Sequence, residues 1–215
     1  MNLRIKICGI TSVADALEAA NAGADAIGFM LYPKSKRYVT PEQAAEISRA
    51  LPPFVARVGV FVNETEENIH HLIDFCQLDS VQLHGEESPE FCDGIPGKTI
   101  KAFRLRSQDD LTTMQPYRTD AWLLDSYSPS AHGGTGDSFN WTWVAESRPY
   151  ARPVIIAGGL TPDNAADCVL ATRPFGLDVS SGVESAPGKK DPARIKAFIA
   201  AARKAADQVS EEPEI

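Results

Sequence analysis

No apolar stretch in this chain approaches the roughly 20 residues of a membrane-spanning helix, so no membrane partner is expected. A charged-then-apolar leader is missing too, because the chain enters a strand-like run at once with Leu3-Arg4-Ile5-Lys6-Ile7. Basic residues are in deficit: 21 lysines and arginines stand against 29 aspartates and glutamates, for a formal net charge of −8. General attraction to nucleic acid or to an anionic membrane is therefore not expected, and a phosphorylated ligand would need a local site working against the overall field. Cysteine is sparse, and Cys8, Cys76, Cys92 and Cys168 form neither a CxxC pair nor a disulfide framework. Reduced thiols in the cytosol are the simplest reading. The four histidines do not combine with them at ligand spacing, so no metal is expected. What is present is ordinary for a soluble globular domain: 215 residues, 43% hydrophobic and 23% charged.

Short apolar, β-branched runs alternate with helix-periodic segments along almost the whole chain. Strands are expected at 3–8, 26–31, 56–62, 80–83, 99–105, 121–125, 154–157 and 176–180. Several are apolar on both faces, as parallel strands are when helices cover them outside and side chains fill the inside. Helices are expected at 13–22, 41–51, 64–76, 89–94, 141–146, 162–171 and 192–206. Many open with a cap: Ser12 before Val13, Thr40 before Pro41, Thr161 before Pro162, and Asp191 before Pro192. The stretch 107–118 is the weak unit, since Pro116 and two threonines limit any helix there. Eight strand–helix units predict a single α/β domain, a (β/α)8 TIM barrel over residues 1–206 with a weak or missing fifth helix. An open doubly wound sheet would show fewer units and an early GxGxxG turn. The acidic tail 207–215 is expected to fray.

Two strand ends carry reactive groups. Cys8 closes the first strand ahead of Gly9, and a helix starting near Ser12 would aim its positive end at that loop. A free thiol has a pKa of about 8.5, so such a setting would make it a usable base near neutrality. The bland alternative is a small buried hydrophobe, which is the reading for Cys76, Cys92 and Cys168. Asp125 ends Ala121-Trp122-Leu123-Leu124 and is either a turn residue or a general acid. An unperturbed aspartate titrates at about 3.9, so only about one carboxyl in a thousand is protonated at pH 7. An acid role therefore needs desolvation or a bound anion to raise it.

Gly158 and Gly159 join the seventh strand to a helix, and Ser180-Ser181-Gly182 follow the eighth. Loops in these two positions are the common phosphate site of barrels. Gly133-Gly134-Thr135-Gly136, after strand six, is either a closing loop over Asp125 or plain surface. After strand two, Arg37 is the natural bidentate ligand for a carboxylate, while Lys34 and Lys36 read as solvated. His84 ends strand four at the same mouth, where it would orient a substrate hydroxyl or cap the strand.

The segments KICGIT (6–11), GFMLYPKSKRYV (28–39), VGVFVNE (58–64), VQLHGEE (81–87), GGTGDSFNW (133–141), IAGGLTPDN (156–164) and GLDVSSGVESAPGKKD (176–191) together resemble the phosphoribosylanthranilate isomerase family of tryptophan biosynthesis. One departure is Lys36, where the family often has proline. The resemblance implies an Amadori rearrangement of a small phosphoribosyl substrate, without metal or cofactor, by a monomer or homodimer. It implies Asp125 as acid, Cys8 as base, Arg37 on the anthranilate carboxylate and the 158–159 and 180–182 loops on the phosphate. Asp178 belongs to the last motif and is expected to contact substrate or orient that loop. The histidine-pathway isomerase, which performs the same rearrangement, uses aspartate where this chain has Cys8. A non-catalytic phosphosugar sensor would have no reason to keep Cys8 with Asp125.

Overall fold

The protein, seen in a computed structural model, is described over residues 2–105, 107–126 and 152–211. Eight parallel strands close into a barrel in chain order. They are β1 (Arg4–Cys8), β2 (Ala26–Met30), β3 (Ala56–Phe61), β4 (Ser80–Leu83), β5 (Lys98–Leu105), β6 (Ala121–Ser126), β7 (Val154–Ala157) and β8 (Gly176–Val179). β8 pairs with β1 to shut the ring, with Lys6 beside Asp178 in the register. The helices are α1 (Val13–Asn21), α2 (Pro41–Ala50), α3 (Glu66–Cys76), α4 (Pro89–Gly94), α5 (Ala165–Thr172) and α6 (Pro192–Glu211). A short hairpin, β9 (Glu184–Ala186) with β10 (Lys189–Lys190), lies between β8 and α6.

The fifth unit is indeed the weak one: a 3-10 segment, Gln108–Met114, replaces an α-helix between β5 and β6. Leu111 and Met114 from it are buried, and Tyr117 packs edge-on against Phe103 at 5.1 Å. The helix expected at 141–146 and the glycine loop 133–136 lie outside the described residues. Caps place the other helices. Thr40 and Gln43 form a reciprocal capping box with Pro41 at the first turn of α2, and Ser12, Thr65 and Ser88 each accept a backbone N–H. The cap at Thr65 starts α3 two residues later than expected.

At α5 the expected start at Pro162 is replaced by a turn. The Asn164 carboxamide accepts from the Thr161 N–H and donates to the Gly159 carbonyl, so the helix begins at Ala165. At the other end, α6 runs past residue 206 because Ala202, Ala205, Ala206 and Val209 continue one buried stripe. The boundary expected at 206 therefore falls inside a helix.

Strand alternation divides the core in two. Ile5, Ile7, Ile27, Phe29, Leu124, Ile156 and Leu177 face the helices in the main cluster. The opposite face fills the barrel with smaller groups on β5 to β7: Ala102, Ala121, Leu123, Ile155 and Ala157. Lys101 and Glu87 form a buried ion pair at 2.9 Å, with side chains 3% and 2% exposed. Lys101 also donates to the Gly85 carbonyl, and Glu87 accepts from the Gly85 and Asn63 N–H groups. This pair pins the loop that follows His84. Lys101→Met leaves the Glu87 carboxylate buried without its cation and is expected to cost about 3–5 kcal/mol. Urea unfolding followed by circular dichroism measures it, and a loss under about 1 kcal/mol would show that the pair does not hold this loop.

Candidate active site

Because side chains alternate along a strand, every second residue reaches the barrel interior, and the last inward residue of each strand stands at the C-terminal mouth. A cavity of about 230 Å³ opens there. Its walls include Cys8, Arg37, His84, Asp125, Asp178, Gly158, Gly159, Ser180 and Ser181. Of the expected site residues only Gly182 is not in the wall; it lies where a Cβ would overlap the Leu160 carbonyl oxygen. That contact packs the loop after β8 against the loop after β7. A larger cavity, about 320 Å³, opens at the opposite, N-terminal end among mostly apolar side chains and contains none of these residues.

Cys8 is buried at the end of β1, in register with Gly28 of β2. A Cβ on Gly28 would stand 2.7 Å from Cys8 Sγ and 3.0 Å from Lys6 Cε, so the bare glycine leaves room for both. Burial pushes the Cys8 thiol above its ordinary value; Lys6 and Lys190 pull it down, while Asp178 adds to the rise. The charges opposing burial are thus two lysines. Ser12 closes the start of α1 by accepting from the Asp15 N–H. Lys6 donates to Asp178 at 3.0 Å. Burial works against the Lys6 ammonium, but Asp178 and Cys8 outweigh it and raise its pKa.

Across the mouth, His84 Nε2 lies 3.3 Å from Asp125 Oδ2. The Gln82 amide nitrogen is 3.0 Å from His84 Nδ1. His84 thus meets Asp125 as well as the cavity, and neither of its two expected roles included that partner.

Arg37 has a partner as well. Its Nε and Nη2 donate to the two carboxylate oxygens of Glu184, both at 2.7 Å. Lys190 donates to Glu184 Oε1 at 2.9 Å and to the Ser180 carbonyl at 3.1 Å. Burial alone would raise Glu184, but Arg37 and Lys190 outweigh it and hold the carboxyl below its usual value. One edge of the Arg37 guanidinium is therefore occupied, and the edge carrying Nη1 is the one left for a ligand. Gly158 and Gly159 adopt φ of 81° and 65°, a conformation open to glycine, beside Ser180, whose buried hydroxyl has no partner among the described residues. Lys6, Gln82, Glu184 and Lys190 are the residues that sequence reasoning passed over. Lys6 had a signal: it shares the inward face of β1 with Cys8.

A closed barrel with ionisable groups gathered at the C-terminal ends of its strands is the architecture of the (β/α)8-barrel enzymes. The family model for N-(5'phosphoribosyl)anthranilate (PRA) isomerase matches residues 5–201. A relative named N-(5'-phosphoribosyl)anthranilate isomerase, from Geobacter sulfurreducens, is 52% identical over 94% of this chain and 98% of its own. The crystal structure of phosphoribosyl anthranilate isomerase from Thermotoga maritima superposes with a TM-score of 0.89 at 48% identity, covering 94% of this chain and 99% of that one. Another solved isomerase, in complex with reduced 1-(o-carboxyphenylamino)-1-deoxyribulose 5-phosphate, gives 0.86 at 46% identity with the same coverage. The chain belongs to the N-(5'-phosphoribosyl)anthranilate isomerase family and is an isomerase.

Proposed function

We propose that this protein converts N-(5-phosphoribosyl)anthranilate to 1-(2-carboxyphenylamino)-1-deoxyribulose 5-phosphate in tryptophan biosynthesis, with Asp125 as general acid and Cys8 as general base. The observation that carries the reading is the meeting of both groups in one cavity whose wall also holds the glycine loops after β7 and β8. Asp125 protonates the ribose ring oxygen as the C1–O bond breaks, leaving a Schiff base between C1 and the anthranilate nitrogen. The Cys8 thiolate then takes the proton from C2, and its electron pair forms the C1–C2 double bond of an enolamine. Ketonisation, with the hydroxyl proton lost and C1 protonated, completes the rearrangement.

The Asp125 carboxyl stands 3.3 Å from His84 Nε2. Gln82 holds the His84 ring through its other nitrogen. The loops at Gly158-Gly159 and Ser180-Ser181-Gly182 hold the phosphate, with the unpartnered Ser180 hydroxyl as one donor. The free edge of Arg37 holds the anthranilate carboxylate, and Glu184 orients the guanidinium.

Loss of anthranilate fluorescence, with the substrate generated in situ, tests the reaction; a well-folded protein without turnover would overturn it. Arg37→Ala is expected to raise KM about 10- to 100-fold with kcat changed far less, the loss of one charge-assisted carboxylate contact. An unchanged KM would remove Arg37 from substrate binding.

A further inference from the structure

Lys6 takes no part in the steps above, yet it is a charged group inside the barrel, 6% exposed, paired with Asp178 at 8%. A buried ion pair is weak evidence for stability, because desolvating both ions offsets their attraction. Its placement points elsewhere. The β1–β8 register sets Lys6 directly beside Asp178, and the alternation of β1 brings Cys8 to the same inward face two residues on. Gly28 leaves the Lys6 stem and the Cys8 sulfur in one shared space, and the ammonium at the end of that stem is hydrogen-bonded to the Asp178 carboxylate.

We propose that Lys6 is a positioning residue for Cys8: held in place by Asp178, its ammonium stabilises the thiolate when that base forms. Asp178 is then both anchor and counterweight, since it fixes the cation while its own negative charge opposes a second anion. The other charged groups facing the sulfur are Lys190, from β10, and Arg37, from the loop after β2. Both are committed to Glu184. Lys6 is the cation shared between Cys8 and a single carboxylate, so it is the one whose balance a single substitution tips either way. His84 and Asp125 face the same cavity from β4 and β6.

This inference rests on the reading of Cys8 as the base, but its test does not depend on turnover. The pH dependence of iodoacetamide alkylation at Cys8, followed by mass spectrometry, reports the thiolate directly. Peptide mapping separates Cys8 from Cys76, Cys92 and Cys168, so the alkylation read at Cys8 is its own. Lys6→Met is expected to slow alkylation at pH 8 about tenfold, and Asp178→Asn, which leaves the ammonium to the sulfur alone, to speed it several-fold. Lys6→Arg should keep most of the wild-type rate. A merely structural role would loosen the site and move Lys6→Met and Asp178→Asn in the same direction, and that result, or no shift in either, would overturn the proposal. Should either single variant fail to fold, the double variant Lys6→Met/Asp178→Asn leaves no lone buried ion. It is expected to alkylate more slowly than wild type, and a wild-type rate would overturn the proposal equally. If these shifts appear while Cys8→Ala retains turnover, the pair controls the thiol and the base assignment is what fails.

Discussion

Cys8→Ala is expected to reduce turnover by about 10³-fold or more while leaving ligand binding nearly intact, because it removes the group that takes the C2 proton. The substitution deletes one sulfur from a buried strand end and changes no ion pair directly. Lys6 keeps Asp178, Arg37 keeps Glu184 and His84 keeps Asp125. Carboxylate and phosphate contacts are therefore undisturbed, and the loss falls on kcat with KM little changed. Isothermal titration with the reduced product analogue and steady-state kinetics separate the two. Wild-type kcat in this variant would remove Cys8 from the reaction.

Asp125→Asn is expected to lose about 10²- to 10⁴-fold in kcat, the usual range for a proton-transfer group. The amide fills the same volume, so the site keeps its shape. What it lacks is an acidic proton for the ring oxygen. The two variants fail at different steps: Asp125→Asn stalls before ring opening and Cys8→Ala after it. Only the Cys8 variant should accumulate the open Schiff base during a single turnover, visible as a transient absorbance change. A loss below about tenfold in Asp125→Asn would point to another proton donor, with His84 the first to examine.

Much of the barrel was legible in the sequence because many units carried two agreeing local signals, an apolar run and a cap. Ser12 before α1 and Thr40-Pro41 before α2 are examples. The fifth unit could be marked as weak for a local reason, Pro116 and its threonines. The start of α5 was misplaced because Thr161-Pro162 carries an ordinary opening signal, and only the folded turn shows Asn164 reaching back to Gly159 and Thr161. In the site, Cys8, His84 and Asp125 were accessible because each ends an apolar strand run, and Asp178 through the family resemblance.

Their partners were not. Glu184 lies 147 positions from Arg37, and Asp178 lies 172 positions from Lys6, so only closure of the barrel joins them. Lys190 reaches the site through the hairpin of β9 and β10, a feature the expected helix 192–206 left unread. The electrostatics followed the same division: a helix terminus near Cys8 is a local inference, whereas the lysines that oppose its burial come from strand registry and a distant hairpin.

The most direct measurement is the initial rate of anthranilate fluorescence loss for the wild-type protein, Cys8→Ala and Asp125→Asn side by side, each confirmed folded by circular dichroism. Turnover by the wild type with at least about a hundredfold loss in both variants is the result expected of one acid and one base sharing this cavity. A folded wild type without turnover, or either variant within about tenfold of it, would contradict the pairing of Cys8 with Asp125 as the chemistry of this site.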